Sequence, residues 1–129
     1  MKMIYEVETK KLFSEAVESL KESLSNNNFG VLWELNFKDK LEEKGLEFDN
    51  NFKIFEVCNP KQAKEVLERH LEVGYFLPCK IVIYEKDDSV KIGMLKPSEL
   101  IDIMDDQELS KIGAEVEKEL KTAIDRAAN

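Results

Sequence analysis

The residues that could do chemistry are concentrated between positions 56 and 79. Both cysteines of the chain, Cys58 and Cys79, lie in this stretch together with the only histidine, His70. A thiolate is a nucleophile and a soft-metal ligand, and a histidine can act as a base or bind a metal. Glu56 adds a carboxylate to an apolar strand face, where it could serve as a base or a binding group, or simply pair with a lysine or lie exposed. These four side chains are the first candidates for a site.

The elements around the two cysteines place Cys58 at the end of one strand and Cys79 at the start of another. Residues 52–57 are rich in aromatic and β-branched side chains, which predicts a strand. Asn59 fits the N-cap of a following helix, and Pro60 fits its first position. If the two strands are neighbours, the thiols lie near each other. Independently of Cys79, the dipole of the helix that starts just after Cys58 would favour the thiolate form of Cys58.

Several uses of these residues stay open. Cys58, Cys79, Glu56 and Asn59 could line a pocket for a small molecule. Cys58 could instead be the nucleophile of a redox protein or enzyme, with Cys79 as the resolving thiol. Both cysteines could also be small buried apolar residues. A zinc site needs about four ligands, whereas Cys58, Cys79 and His70 supply three at most. His70 lies on the apolar edge of its helix, where a histidine is more often half-buried than a ligand, so we expect no metal centre. The sequence identifies no cofactor, and it contains no glycine-rich loop of the kind that binds phosphates or dinucleotides.

Composition limits the kinds of partner. The chain has 129 residues and a net charge of -8, with 43% apolar and 36% charged residues. We expect one domain over residues 1–129. The acidic charge excludes nucleic acid and anionic membranes as natural partners, because both need a basic face. With no long apolar segment and no signal peptide, we expect a cytoplasmic protein with reduced thiols.

The order of predicted elements is β-α-β-(α)-β-α-β-β-α, with a hairpin near the C-terminal end. This order predicts an α+β fold, a largely antiparallel five-stranded sheet with two long helices packed on one face. The long helices are expected at residues 11–25 and from Asp105 or Asp106 onward. The clearest strand is expected at residues 29–37, with one apolar face formed by Phe29, Val31, Trp33, Leu35 and Phe37.

The other face of the sheet is predicted to be too apolar for a surface that only meets water. Its expected apolar members are Ile4, Leu32, Phe55 or Val57, Val82, Tyr84 and Leu95. The polar residues expected between them are Glu6, Glu34, Lys53, Lys80 and Lys91. Exposed apolar patches of this kind usually mark a partner surface, so we predict a homodimer through this face. The alternatives are that the smaller helices cover the face, or that the protein is purely an interaction module for other proteins.

Two motifs resemble a known family. Cys58-Asn59-Pro60 and Leu77-Pro78-Cys79, the latter followed by a Val/Ile strand, are similar to the proteins grouped as domain of unknown function number 302. The resemblance extends over nearly the whole chain. It implies a compact α+β domain that tends to pair as a dimer, and it names no reaction. His70 lies outside the two motifs.

Overall fold

The computed structural model of the protein describes residues 2–129, which contain one five-stranded antiparallel sheet. The strands are β1 (Ile4–Thr9), β2 (Gly30–Asn36), β3 (Phe52–Cys58), β4 (Cys79–Lys86) and β5 (Ser89–Leu95). Their order across the sheet is β1-β5-β4-β3-β2, and all neighbours pair antiparallel. The predicted α+β fold class is confirmed.

Two long helices cover one face of this sheet. The α-helices within residues 2–129 are α1 (Phe13–Asn26), α2 (Phe37–Glu43), α3 (Pro60–Arg69), α4 (Pro97–Ile101) and α5 (Gln107–Ala128). The long helices α1 and α5 pack against each other and against the sheet. No helix in the described part of the chain combines the length and apolar character needed to cross a membrane.

The core lies between the sheet and the two long helices. Strand alternation sends every second side chain of the sheet toward the helices, where burial of apolar area stabilises the fold. The buried members from the strands are Phe55, Val57, Ile81, Ile83, Val90, Ile92 and Met94. A second, smaller cluster lies under α3 and α4 and consists of Val66, Val73, Ile101 and Leu109.

The predicted ends of the elements agree with the structure in most places. Helix α1 ends in the asparagine run, and Asn28 takes a left-handed φ of 65°. The β4–β5 turn uses Asp87 and Asp88, both with positive φ, as a two-residue hairpin requires. Asp106, rather than Asp105, is the N-cap of α5, because its carboxylate accepts from two backbone N–H groups.

The prediction of one apolar face for residues 29–37 is wrong. The pairing shifts between Val31, which faces Val57, and Trp33, which faces Glu56, so Leu32 is an extra residue in a β-bulge. The bulge moves Trp33 to the face away from the helices. Phe37 lies outside the strand and begins α2.

The face away from the helices, the open face, differs from the prediction in four residues. Phe55 and Val57 are fully buried on the helix side. Glu34 and Lys53 also lie on the helix side at the sheet edge, where Glu34 bonds Lys53 at 2.8 Å and Lys21 of α1 at 2.9 Å. The antiparallel register instead gives the open face its central members Ile54, Glu56, Lys80, Val82, Tyr84, Gly93 and Leu95.

One corner of the open face is covered by aromatic side chains. Phe52 makes edge contacts with Phe37 and Phe48 at centroid distances of 6.0 and 6.3 Å, and it stacks on Tyr84 at 5.9 Å. The alternative to the dimer, cover by a small helix, is therefore present at this corner, where Phe37 of α2 lies. Trp33, Ile4 and Leu95 remain at least one-third exposed elsewhere on the face.

Candidate functional site

Two cavities lie on either side of Cys79. The larger cavity has a volume of about 370 Å³ and is lined by Glu56, Val73, Tyr75, Phe76, Leu77, Pro78, Cys79, Lys80, Leu95, Pro97, Leu100 and Ile101. The smaller cavity, of about 40 Å³, is lined by Phe29, Val57, Cys58, Asn59, Gln62, Ala63, Val66, Leu77, Cys79, Pro97, Ile101 and Val116. Cys79 belongs to both cavities, whereas Glu56 faces only the larger one.

The charged wall of the larger cavity is formed by Glu56 and Lys80. They are direct partners across β3 and β4 on the open face. Opposite charges in such positions usually attract each other. Within residues 2–129, neither side chain makes an ion pair of 4 Å or less or a side-chain hydrogen bond. Both charged groups can therefore contact a molecule in the cavity.

The apolar wall of the larger cavity comes from the chain between α3 and β4 and from α4. The 3-10 helix Leu71–Tyr75 is anchored by Val73, which is fully buried in the second cluster beside Ile101. A cis Leu77–Pro78 peptide then leads into β4. Helix α4 begins at Pro97, in a position where the backbone N–H would have no partner within the helix, so its absence from proline is harmless. Residues of α4 form the cavity wall opposite the 3-10 helix.

The two cysteines are close in the sheet, as predicted, but they are not direct partners. Val57 faces Cys79 in the β3–β4 register, and Cys58 follows Val57 as the last residue of β3. Both side chains nevertheless line the smaller cavity. Both cysteines are free thiols.

The environment of Cys58 favours the neutral thiol over the predicted thiolate. Desolvation by burial raises the pKa of the Cys58 thiol above its ordinary value. Desolvation, with a smaller contribution from Cys58, raises the pKa of Cys79 to about 11. This loss of hydration disfavours the charged thiolate. Both thiols are protonated at neutral pH and are weak nucleophiles there.

Asn59 holds the start of α3 and does so as predicted. Its side-chain oxygen accepts a hydrogen bond from the backbone N–H of Gln62 at 3.2 Å. The Gln62 amide nitrogen donates to the Glu119 carboxylate at 3.3 and 3.4 Å. The Gln62 Oε1 atom is buried and has no hydrogen-bond partner within the described residues.

His70 is not part of the cavities. Its Nε2 atom lies 3.0 Å from Asp106 Oδ2, and Arg69 donates to both oxygens of the same carboxylate. Asp106 also caps α5, so these contacts join the end of α3 to the start of α5. Within residues 2–129, no group of three or more His, Cys, Asp or Glu side chains is arranged to hold a metal ion.

Fold and site together define a small α+β domain with a cavity at the end of a sheet whose long helices both lie on one face. The chain belongs to the family described as "Domain of unknown function DUF302", whose model matches residues 5–127. It is 45% identical to a solved structure, "Crystal structure of uncharacterized conserved protein DUF302 from Bacillus stearothermophilus". That match covers 98% of this chain and 99% of the other, with a TM-score of 0.94. No curated protein matches the chain at a significant level.

Sequence reasoning did not single out three contributors to the two cavities. Lys80 was assigned only to the open face, because its pairing with Glu56 depends on a register that one sequence does not reveal. Gln62 looked like an ordinary first-turn residue of α3. The wall formed by Leu100 and its neighbours in α4 could not be found, because a helix of five residues carries little periodic signal.

Proposed function

We propose that this protein is a small-molecule-binding domain whose site is the larger cavity. The observation that carries this proposal is the combination of its volume and its lining. A volume of about 370 Å³ lies within the roughly 300–1,000 Å³ usual for ligand pockets. The lining is mostly apolar and holds the free charges of Glu56 and Lys80. Apolar walls with a few polar groups that fix orientation are the usual design of such pockets.

The thiols have a passive part in this proposal. Cys79 contributes apolar wall to the cavity, and its raised pKa favours the neutral thiol. The same protonation argues against a thiol-dependent enzyme that uses Cys58. Two free thiols fit a reducing compartment, which supports the predicted cytoplasmic location.

Indole is a suitable first probe because it is apolar, compact and uncharged. We expect indole to shift the backbone amide signals of Glu56, Lys80 and Leu100 in the ¹⁵N-labelled protein. Leu100→Trp places an indole ring inside the cavity and should abolish those shifts. Leu71→Trp is the matched control, because Leu71 is 77% exposed and lies outside both cavities. Equal indole binding by all three proteins, or shifts confined to other residues, would reject the cavity as the site.

We also propose that the protein forms a homodimer through its open face. Five strands about 4.8 Å apart and about 3.3 Å per residue make a face of about 500–600 Å² in projection. With the relief of its side chains, this area approaches the roughly 800 Å² per partner of a standard stable interface. A second depression of about 300 Å³ lies in this face and shares Lys80 and Leu95 with the larger cavity.

The charge of the open face supports a second copy of the chain as the occupant. Its charged members are three glutamates and three lysines, namely Glu6, Glu8, Glu56, Lys80, Lys86 and Lys91. The face is therefore neutral, whereas the whole chain has a charge of -8. Two copies can meet there without the repulsion that the rest of the acidic surface would produce. Light scattering at micromolar concentration should give twice the mass of one chain, and a monomer would refute the dimer.

A further inference from the structure

We infer that the ligand of the larger cavity is a zwitterion with an apolar body, of the chemical class of an apolar α-amino acid. This inference rests on the proposed binding function and names its ligand class. Glu56 would receive the ammonium group, Lys80 would receive the carboxylate, and the apolar walls would receive the side chain.

The first argument is the unpaired state of both charges. Glu56 and Lys80 face each other, yet each lacks an ion pair or side-chain hydrogen bond within residues 2–129. On the same face, Lys91 lies 3.7 Å from Glu6, so nearby charges do find partners. A half-buried carboxylate without a partner is costly, and a ligand ammonium would relieve that cost.

The second argument is geometric. Directly opposite residues of an antiparallel pair have Cβ atoms about 4.5–5.5 Å apart. An α-amino acid has its ammonium and carboxylate on one carbon atom, so both groups can reach this pair of residues together. Its side chain can then extend toward Phe76, Leu77 and Leu100 on the apolar walls of the cavity.

The third argument is electrostatic. A zwitterion has no net charge, so it does not meet the repulsion that an anion would meet near a chain of charge -8. A ligand with only one charge would satisfy either Glu56 or Lys80 and leave the other without a charged partner. Hydrogen bonds to charged groups contribute more to the binding free energy than hydrogen bonds between neutral groups. Two such bonds should therefore make a zwitterion bind more tightly than a ligand with one charge.

Four compounds with the same indole ring separate these contributions. They are indole, tryptamine with only the ammonium, indole-3-propionate with only the carboxylate, and L-tryptophan with both. Isothermal titration calorimetry on the unmodified protein should show L-tryptophan binding at least about 10-fold more tightly than either one-charge analogue. L-Tryptophan binding no tighter than the better of the two analogues would overturn the inference.

Two variants assign each charge to its residue. In Glu56→Gln, L-tryptophan should no longer bind more tightly than indole-3-propionate, because the partner of its ammonium group is gone. It should still bind more tightly than tryptamine, because Lys80 still receives its carboxylate. In Lys80→Met, the pattern should reverse. Glu6→Gln and Lys91→Met are matched controls on the same face outside the larger cavity, and they should leave the ranking unchanged. Equal losses in all four variants would overturn the assignment.

The same titrations distinguish a failure of this inference from a failure of the proposed function. If indole binds in the cavity and L-tryptophan gains nothing over its analogues, the binding function stands and the zwitterionic ligand class is wrong. If none of the four compounds binds, the proposed function fails and the ligand class fails with it.

Discussion

Val57, and not Cys58, is the residue that faces Cys79 across β3 and β4. Both thiols line the smaller cavity, but this offset of one residue gives them different surroundings. Cys79 is the more deeply buried and has the larger rise in pKa, to about 11. The difference leads to a test of the thiol-enzyme alternative.

Both thiols should react slowly with iodoacetamide at pH 7, and Cys79 should react more slowly than Cys58. The thiolate is the reactive form, and its fraction falls about 10-fold for each pKa unit above the pH. Raising the pH toward 9 should accelerate Cys58 first. Peptide mapping by mass spectrometry measures both rates, with free cysteine as the reference thiol. A Cys58 rate at pH 7 above that of free cysteine would contradict the raised pKa and revive the enzyme reading.

Asp106 should stabilise the fold in a pH-dependent way. Burial would raise its pKa, but hydrogen bonds from Arg69, Leu109, His70 and Glu108 outweigh it and lower the pKa from 3.8 to about 2. Because the pKa is lower in the folded chain, the stabilisation is present above about pH 4 and is lost as the pH falls toward 2.

Asp106→Asn tests this dependence, because asparagine keeps the helix-capping oxygen and removes the charge. Thermal melts should show a lower Tm for the variant at pH 6 and a gap from the unmodified protein that closes as the pH approaches 2. Asp88→Asn, in the exposed hairpin turn, is the control. A gap that stays constant from pH 6 to pH 2 would show that the charge of Asp106 does not act as described.

Gly93 should tolerate no side chain. A Cβ at this position would lie 2.8 Å from the carbonyl oxygen of Tyr5, which is backbone and cannot move aside easily. Gly93→Ala should therefore lower the free energy of unfolding by about 1–3 kcal/mol through overpacking of β1 on β5. Gly30→Ala is the matched control, since its nearest neighbour would be 4.0 Å away. Urea unfolding compares the two, and equal stabilities would refute the steric argument.

A charge at the centre of the open face should break the dimer. Val82 lies on the middle strand of the sheet and pairs with Ile54 and Gly93. Val82→Lys should give a monomer, because two lysines would be buried together in a symmetric interface. Leu71→Lys, at an exposed position outside this face, should remain dimeric. Light scattering measures the molar mass of both variants in solution. A dimeric Val82→Lys variant would show that the interface does not lie on the open face.

The sequence predicted those features that depend on local chemistry. Alternation identified the buried faces of β4 and β5, Asn59 was recognised as a cap from its residue type, and the asparagine run marked the end of α1. Features that depend on how the strands pair could not be predicted from the sequence. The bulge at Leu32 reverses the faces of β2, and the opposition of Glu56 to Lys80 follows from a register fixed by loop length and packing.

The protonation state of the Cys58 thiol is harder to predict from the sequence than its position in the fold. The start of α3 beside Cys58 correctly suggested a favourable dipole. The depth of burial, which decides the pKa here, depends on how α3 and α4 close over the end of the sheet. The sequence therefore directs attention to residues 56–79, which supply part of the lining of the larger cavity, while the raised pKa of the Cys58 thiol disfavours a reactive thiolate there.

The most direct test of the binding proposal is a crystal structure of the protein grown with L-tryptophan. We predict that the indole ring lies between Phe76 and Leu100, with its ammonium on Glu56 and its carboxylate on Lys80. Leu100→Trp crystals grown under the same conditions should contain no ligand at this position. An unoccupied larger cavity in the unmodified protein at saturating L-tryptophan, or a ligand seated only elsewhere on the surface, would contradict the account.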